Sequence, residues 1–256
     1  MKKALPLLLS LVLCLTLCAC GAKNTSPVTE NSVQSEVPTE SVAESTVEPE
    51  PEISYEVTSA SIDSWEVLSD AYWTAVNIEI SNTGTTNLRL LDSFFDLENS
   101  TGELVSAQQR LFAFPDIIAP GETGYFNIIT HSDHSVGTDL TVVPRILVEA
   151  TEETPIRYNV SDVEAVWDDE EYGSFAVIGR IENCTSSIET KACVAAFVYD
   201  QNNLLIGGFR TAMIENLAPG EKVGFEAIGI QPPLNSLDEI SKIICVAYPY
   251  REQPQN

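Results

Sequence analysis

The chain has 256 residues, room for one or two domains. It carries 13 Lys and Arg against 38 Asp and Glu, a formal net charge of −25. A chain that acidic is repelled by phosphate backbones and by anionic lipid headgroups, which argues against nucleic acid as a partner and against a basic membrane-binding face. The first 19 residues hold Lys2 and Lys3 and no acid. Residues 4–17 are almost wholly apolar, a run shorter than the ~20 residues a bilayer span requires. A positive start followed by a short apolar run is the layout of a secretory leader, residues 1–19, which takes no part in the fold.

The leader ends in Leu17-Cys18-Ala19-Cys20-Gly21. These residues resemble the lipobox of bacterial lipoproteins: a Leu three positions before the cysteine, small Cys18 and Ala19, then Cys20 and Gly21. The resemblance implies cleavage between Ala19 and Cys20 and a diacylglyceryl group on the Cys20 thiol. Cys18 does not suit that role, because bulky Leu17 precedes it. An ordinary cleavage without lipid is the alternative. Two or more acyl chains anchor stably, since each buried methylene contributes ~0.8 kcal/mol and one short chain is marginal.

Residues 20–52 form the lipidated cysteine and a linker. From 21 to 52 the sequence is mostly Ser, Thr, Pro, Val and Glu, with seven glutamates, one lysine (Lys23) and no aromatic residue, Leu, Ile or Met. Such a stretch cannot bury enough apolar surface to offset the entropy of ordering. In polyproline-II form, at ~3.1 Å per residue, it reaches on the order of 100 Å, and as a flexible coil nearer 30 Å. It therefore reads as a disordered tether.

From Ile53 onward short apolar and aromatic runs alternate with Gly, Pro, Asn and Asp. That pattern predicts an all-β fold of the sandwich type. Helical periodicity is confined to one turn at residues 236–242, where Ser236 suits a cap and Asp238 and Glu239 suit a first turn. The chain also repeats. Trp65 corresponds to Trp167, Trp73 to Phe175, Ile80-Ser81-Asn82 to Ile181-Glu182-Asn183, Asn99 to Asp200, and Ala119-Pro120-Gly121-Glu122 to Ala218-Pro219-Gly220-Glu221. The offset stays between 99 and 102. A period that long predicts tandem domains, 53–152 and 155–250, rather than a solenoid. In the second block strands are expected at 158–167, 174–182, 188–199, 204–211, 222–228 and 243–248. Asp200-Gln201-Asn202-Asn203 is expected as a tight hairpin turn.

The second block resembles the FxLYD domain of bacterial lipoproteins. The residues that carry this are Ala196-Phe197-Val198-Tyr199-Asp200, then Leu217-Ala218-Pro219-Gly220-Glu221, with Ile178-Gly179-Arg180-Ile181-Glu182-Asn183 upstream. Tyr199 and Asp200 match the motif, Val198 replaces Leu, and Ala196 stands where the family has Phe. The first block is similar but weaker, with Phe95-Asp96-Leu97-Glu98-Asn99. The resemblance implies Ig-like β-sandwich domains and no chemistry, with the motif residues in core and turn positions.

Candidate sites are few. His131, Asp133 and His134 lie together and are weak candidates for a metal site, without a third ligand at reliable spacing. Asp168-Asp169-Glu170-Glu171 reads as a solvated turn rather than a calcium loop, lacking EF-hand spacing. Cys184, Cys193 and Cys245 are an odd set in the second block; Cys193 and Cys245 read as buried, Cys184 as exposed, and one disulfide among them is open. Trp65, Trp73 and Trp167 read as sandwich core. Residues 188–199 are apolar on both faces, so the outer face is expected to pack on the other domain or on a partner. No hydrolase, zinc-protease, phosphate-loop or dinucleotide motif occurs.

The expected function is thus non-enzymatic, with no cofactor. The chain reads as a lipoprotein anchored at Cys20 to the extracytoplasmic face of the cell membrane, a binding or scaffolding module for a protein or cell-envelope partner. A surface sensor of a small ligand or of Ca or Zn is the alternative, and an enzyme ranks below both.

Overall fold

The computed structural model describes residues 52–68, 71–132, 139–168 and 174–251. The leader, Cys20 and the tether up to residue 51 lie outside them. Every described element is a β-strand except one 3-10 turn, Leu237–Glu239. Among the described residues no helix is long and apolar enough to cross a membrane.

The first half of this body contains β1 (Tyr55–Leu68), β2 (Ala71–Asn82), β3 (Asn87–Leu90), β4 (Ser93–Glu98), β5 (Leu104–Phe114), β6 (Ile117–Ile118), β7 (Thr123–Ser132), β8 (Thr141–Arg145) and β9 (Val148–Thr151). They form a six-stranded antiparallel sheet in the order β1-β2-β7-β5-β4-β8 and a small sheet in the order β6-β3-β9. Alternation decides which side chains face inward. Val76, Ile78 and Ile80 of β2, Phe126 of β7 and Leu88 and Leu90 of β3 close over one core between the two sheets.

The second half contains β10 (Asn159–Asp168), β11 (Ser174–Glu182), β12 (Glu189–Asp200), β13 (Leu205–Arg210), β14 (Ile214–Leu217), β15 (Lys222–Ile230) and β16 (Ile240–Pro249). One sheet runs β10-β11-β15; in the other, β12 pairs with β13, β14 and β16. Phe175 and Val177 of β11, Val194, Ala196 and Val198 of β12 and Phe225 of β15 fill a second core. All ladders between described strands join partners within one half. The fold is all-β and sandwich-like, as expected. The short β14 was not foreseen. The 236–242 segment contracts to the 3-10 turn, and Ser236 makes no side-chain cap.

Two local devices occur once in each half. Asn82 donates from Nδ2 to the carbonyls of Thr86 and Ile118, and Asn183 donates from Nδ2 to those of Ser187 and Leu217. Their carbonyls accept from Gly121 and Gly220, each at 2.8 Å, and their backbone N–H groups donate to Glu122 and Glu221. Gly121 and Gly220 have φ of 81° and 73°, a left-handed conformation that glycine adopts without a Cβ clash. The glutamate carboxylates close each turn by accepting from Ala119 N and Ala218 N, both at 2.8 Å. The second device is a hairpin. Asn99 Oδ1 accepts from the N–H of Thr101 and Glu103, and Asp200 Oδ1 accepts from those of Asn202 and Leu204. Gly102 and Asn203 take the positive φ at matching places.

Candidate binding groove

The strand β12 is buried on both faces. Val194, Ala196 and Val198 face the second core. On the other face Cys193, Ala195, Phe197 and Tyr199 meet Tyr125 of β7 and Phe114 of β5. Phe197 stacks on Tyr125, with centroids 3.8 Å apart and planes at 16°. Burial, with Tyr125 and Glu79 close by, pushes the Tyr199 hydroxyl well above the usual tyrosine range. Gly208 of β13 lies against Asn127 of β7, so close that a Cβ there would sit 3.0 Å from Asn127 Cγ. Ser61 Oγ donates to Leu205 O at 3.4 Å.

The connection between the halves is held as well. Arg157 Nη2 donates to Ile117 O at 2.6 Å and to Glu122 Oε2 at 2.8 Å. Glu153, in the joint, accepts from both Arg89 and Arg251. A shared apolar core with polar ties at its edge fixes the halves against each other. A groove that they line together therefore has a fixed shape.

That groove has a volume of about 270 Å³. Phe112 and Phe114 of β5 and Asn127 and Ile129 of β7 form one side; Phe209 and Arg210 of β13 and Ile230 of β15 form the other. Three strand edges border it. Residues 128–132 of β7 pair with β2 alone, because β5 joins β7 only at Asn127, Phe126 and Tyr125. Among the described strands β13 pairs only with β12, and β15 only with β11. Arg210 is the cation of the groove. Its guanidinium carbon lies 5.8 Å from the Phe114 ring and 5.8 Å from the Tyr250 ring. No carboxylate among the described residues forms an ion pair with it. At the buried floor Asn127 Nδ2 donates to Asn77 Oδ1 at 2.7 Å.

The same sheet face continues beyond the groove. Trp73 lies opposite both Trp65 and His131 in the ladders, and the His131 ring meets Trp73 edge-on at 5.3 Å. The tryptophans were expected in the core. Trp65, Trp73 and Trp167 are instead half-buried, and Trp65 and Trp73 lie on the face turned away from Val76 and Ile78. Asp63 shares that face, and its carboxyl is raised above the usual range by burial and by nearby Asp200. Asp63 Oδ2, Trp65 Nε1 and Asn77 Nδ2 are buried without a hydrogen-bond partner among the described residues.

The other candidates separate. His131 is exposed at the end of β7, and Asp133 and His134 lie outside the described residues. No cluster of three or more potential metal ligands occurs among the described residues. Asp168 ends β10, and residues 169–171 lie outside. Cys184, Cys193 and Cys245 are all free thiols, exposed, buried and half-buried respectively. Burial pushes the Cys245 thiol up to about 12. The motif residues Ala196, Phe197, Val198 and Tyr199 are fully packed, and Asp200 holds its turn.

Arg210 and Asn127 were not singled out from the sequence. One signal was available: Gly207-Gly208 inside a strand marks a place where another surface approaches closely. Neither a known protein family nor a curated protein matches the chain.

Proposed function

We propose that this chain is a bacterial lipoprotein, held by lipid on Cys20 at the extracytoplasmic face of the cell membrane, and that it acts there as a non-enzymatic binding module. The observation that carries the reading is the run Leu17-Cys18-Ala19-Cys20-Gly21 at the end of a short apolar leader, followed by an acidic, proline-containing tether. The charge of −25 keeps the body off an anionic membrane, so contact runs through the anchor. The body is two Ig-like domains, the second of FxLYD type. The paired Asn82 and Asn183 turns and the paired Asn99 and Asp200 hairpins support that duplication. A groove with apolar walls and the Arg210 cation supports binding over catalysis, because its described lining residues pair no nucleophile with a base.

Fractionation with fatty-acid labelling tests the anchor. In bacterial cells the wild-type chain enters the membrane fraction carrying label, and Cys20→Ala leaves that fraction and loses the label. A Cys20→Ala chain that stays membrane-bound would sink the reading.

A further inference from the structure

The groove on β7, β13 and β15 offers three things to one ligand. Its borders are strand edges with backbone donors and acceptors that meet no other described strand. Its walls are apolar, and Phe112 keeps 47% of its surface exposed while unattached to any core. Its one cation, Arg210, lies beside two aromatic rings, an arrangement that suits the guanidinium faces and leaves in-plane N–H groups for a carboxylate. Among the described residues Arg210 is the one arginine without an ion-pair partner, a state it shares with Lys222 and Lys242. These features together select a chemistry. Free backbone edges take an extended peptide, apolar walls take alternate side chains, and Arg210 takes an acid. A glycan or a small apolar molecule would leave the strand edges unused.

We propose that this groove binds an extended peptide segment of a partner protein by strand addition to the free edge of β7, with apolar side chains at alternate positions and a Glu or Asp side chain against Arg210. The open edge, residues 128–132, accommodates about five peptide residues at ~3.3 Å each. The proposal rests on the binding-module reading and names the partner chemistry of that module.

The test titrates acetyl-Val-Thr-Ile-Thr-Glu-amide into the full chain in mild detergent. Calorimetry gives affinity, and backbone amide chemical shifts give location. Binding is expected with shifts concentrated in residues 128–132. Replacing the peptide Glu by Gln weakens binding about tenfold on wild type, the loss of one charge-assisted contact. The same change has little effect on Arg210→Gln, because the two changes remove one contact. N-methylation of the central peptide bond weakens binding several-fold, and so does Phe112→Ser at an exposed position, with β-sheet circular dichroism unchanged in both variants. Absence of binding overturns the proposal, as does indifference to Arg210→Gln or shifts outside the groove. Dimerisation in sedimentation that Phe112→Ser abolishes assigns the groove to a second copy and overturns it. Binding that appears only after removal of residues 252–256 assigns it to the chain's own tail and overturns it too. The anchor is read separately by fractionation, so a failed titration leaves Cys20 untouched and a failed anchor leaves the titration valid.

Discussion

Tyr125 and Phe197 come from opposite halves of the chain and stack nearly parallel, 3.8 Å between ring centroids. Both are buried, at 3% and 0% exposure. The contact sits in a cluster that belongs to neither half alone, and it predicts coupled unfolding. Wild type should unfold in urea in one transition by tryptophan fluorescence and circular dichroism. Phe197→Ala should cost about 3–5 kcal/mol, the usual range for truncating a buried Phe. It should also make the two probes diverge, because two of the three tryptophans, Trp65 and Trp73, lie in the first half while Trp167 and most of the loss fall on the second. Coincident probes in the variant would contradict this.

Asn82 and Asn183 predict a matched pair of losses. Each side chain donates to two carbonyls, of which that of Ser187 also accepts from Thr185 Oγ1. Asn183→Ala and Asn82→Ala should each cost on the order of 1–3 kcal/mol, the cost of leaving buried polar groups unpaired. Gly220→Ala meets no atom within 4 Å of its new Cβ, so its cost is conformational alone. That cost should be about 1–2 kcal/mol for a left-handed residue. Urea midpoints measure all three, and a Gly220→Ala chain as stable as wild type would show that the turn relaxes.

Asp96 predicts an acid-side dependence. Arg145 and the N–H of Gln108 hold its carboxyl below the ordinary value of 3.8. A lowered folded value contributes stability that is present above 3.8 and is lost as pH falls through the folded value. Asp96→Asn should therefore unfold earlier than wild type at neutral pH, and its thermal midpoint should fall less than that of wild type on acidification from pH 3.8 downward. Parallel curves across that window would rule out the link.

The three thiols should differ in reactivity. Cys184 is exposed, while Cys193 and Cys245 are screened and raised by burial. Iodoacetamide at about pH 8 reacts through the thiolate, so mass spectrometry should find Cys184 modified in native protein. Cys193 and Cys245 should appear only after urea is added. On the alkaline side, the raised Cys245 thiol contributes stability that is full below its ordinary value of 9.0 and is lost as pH rises to about 12. Cys245→Ala should lose less stability than wild type across that interval.

Local pattern carried much of this fold. Strand 174–182 is legible to the residue, because Phe175, Val177 and Ile181 recur on one face of a β-branched and aromatic run bounded by turn residues. The Ala-Pro-Gly-Glu turns were legible because Gly121 and Gly220 need a positive φ that few residues tolerate. Two-sided burial of β12 was legible in its unbroken apolar run, although the run does not say which surface covers it. Other features depend on distance. Trp65 and Trp73 lie half-buried on the sheet face opposite Val76 and Ile78 because of the register of β1 on β2, whereas hydrophobicity alone sends them to the core. The groove draws Phe112, Ile129, Arg210 and Ile230 from four strands that no short window of sequence joins. The β14 strand has only four residues, too few to show a period.

Glu153 pairs with Arg89 of the first half and with Arg251 after the last strand of the second, so one residue of the joint ties both halves. Residues of both halves build the groove, so it exists only while they stay docked. A cut in the joint near Glu153 removes the covalent link and leaves the shared core around Tyr125 and Phe197 to hold the halves together. The shape of the groove and the docking of the two halves are thus one property.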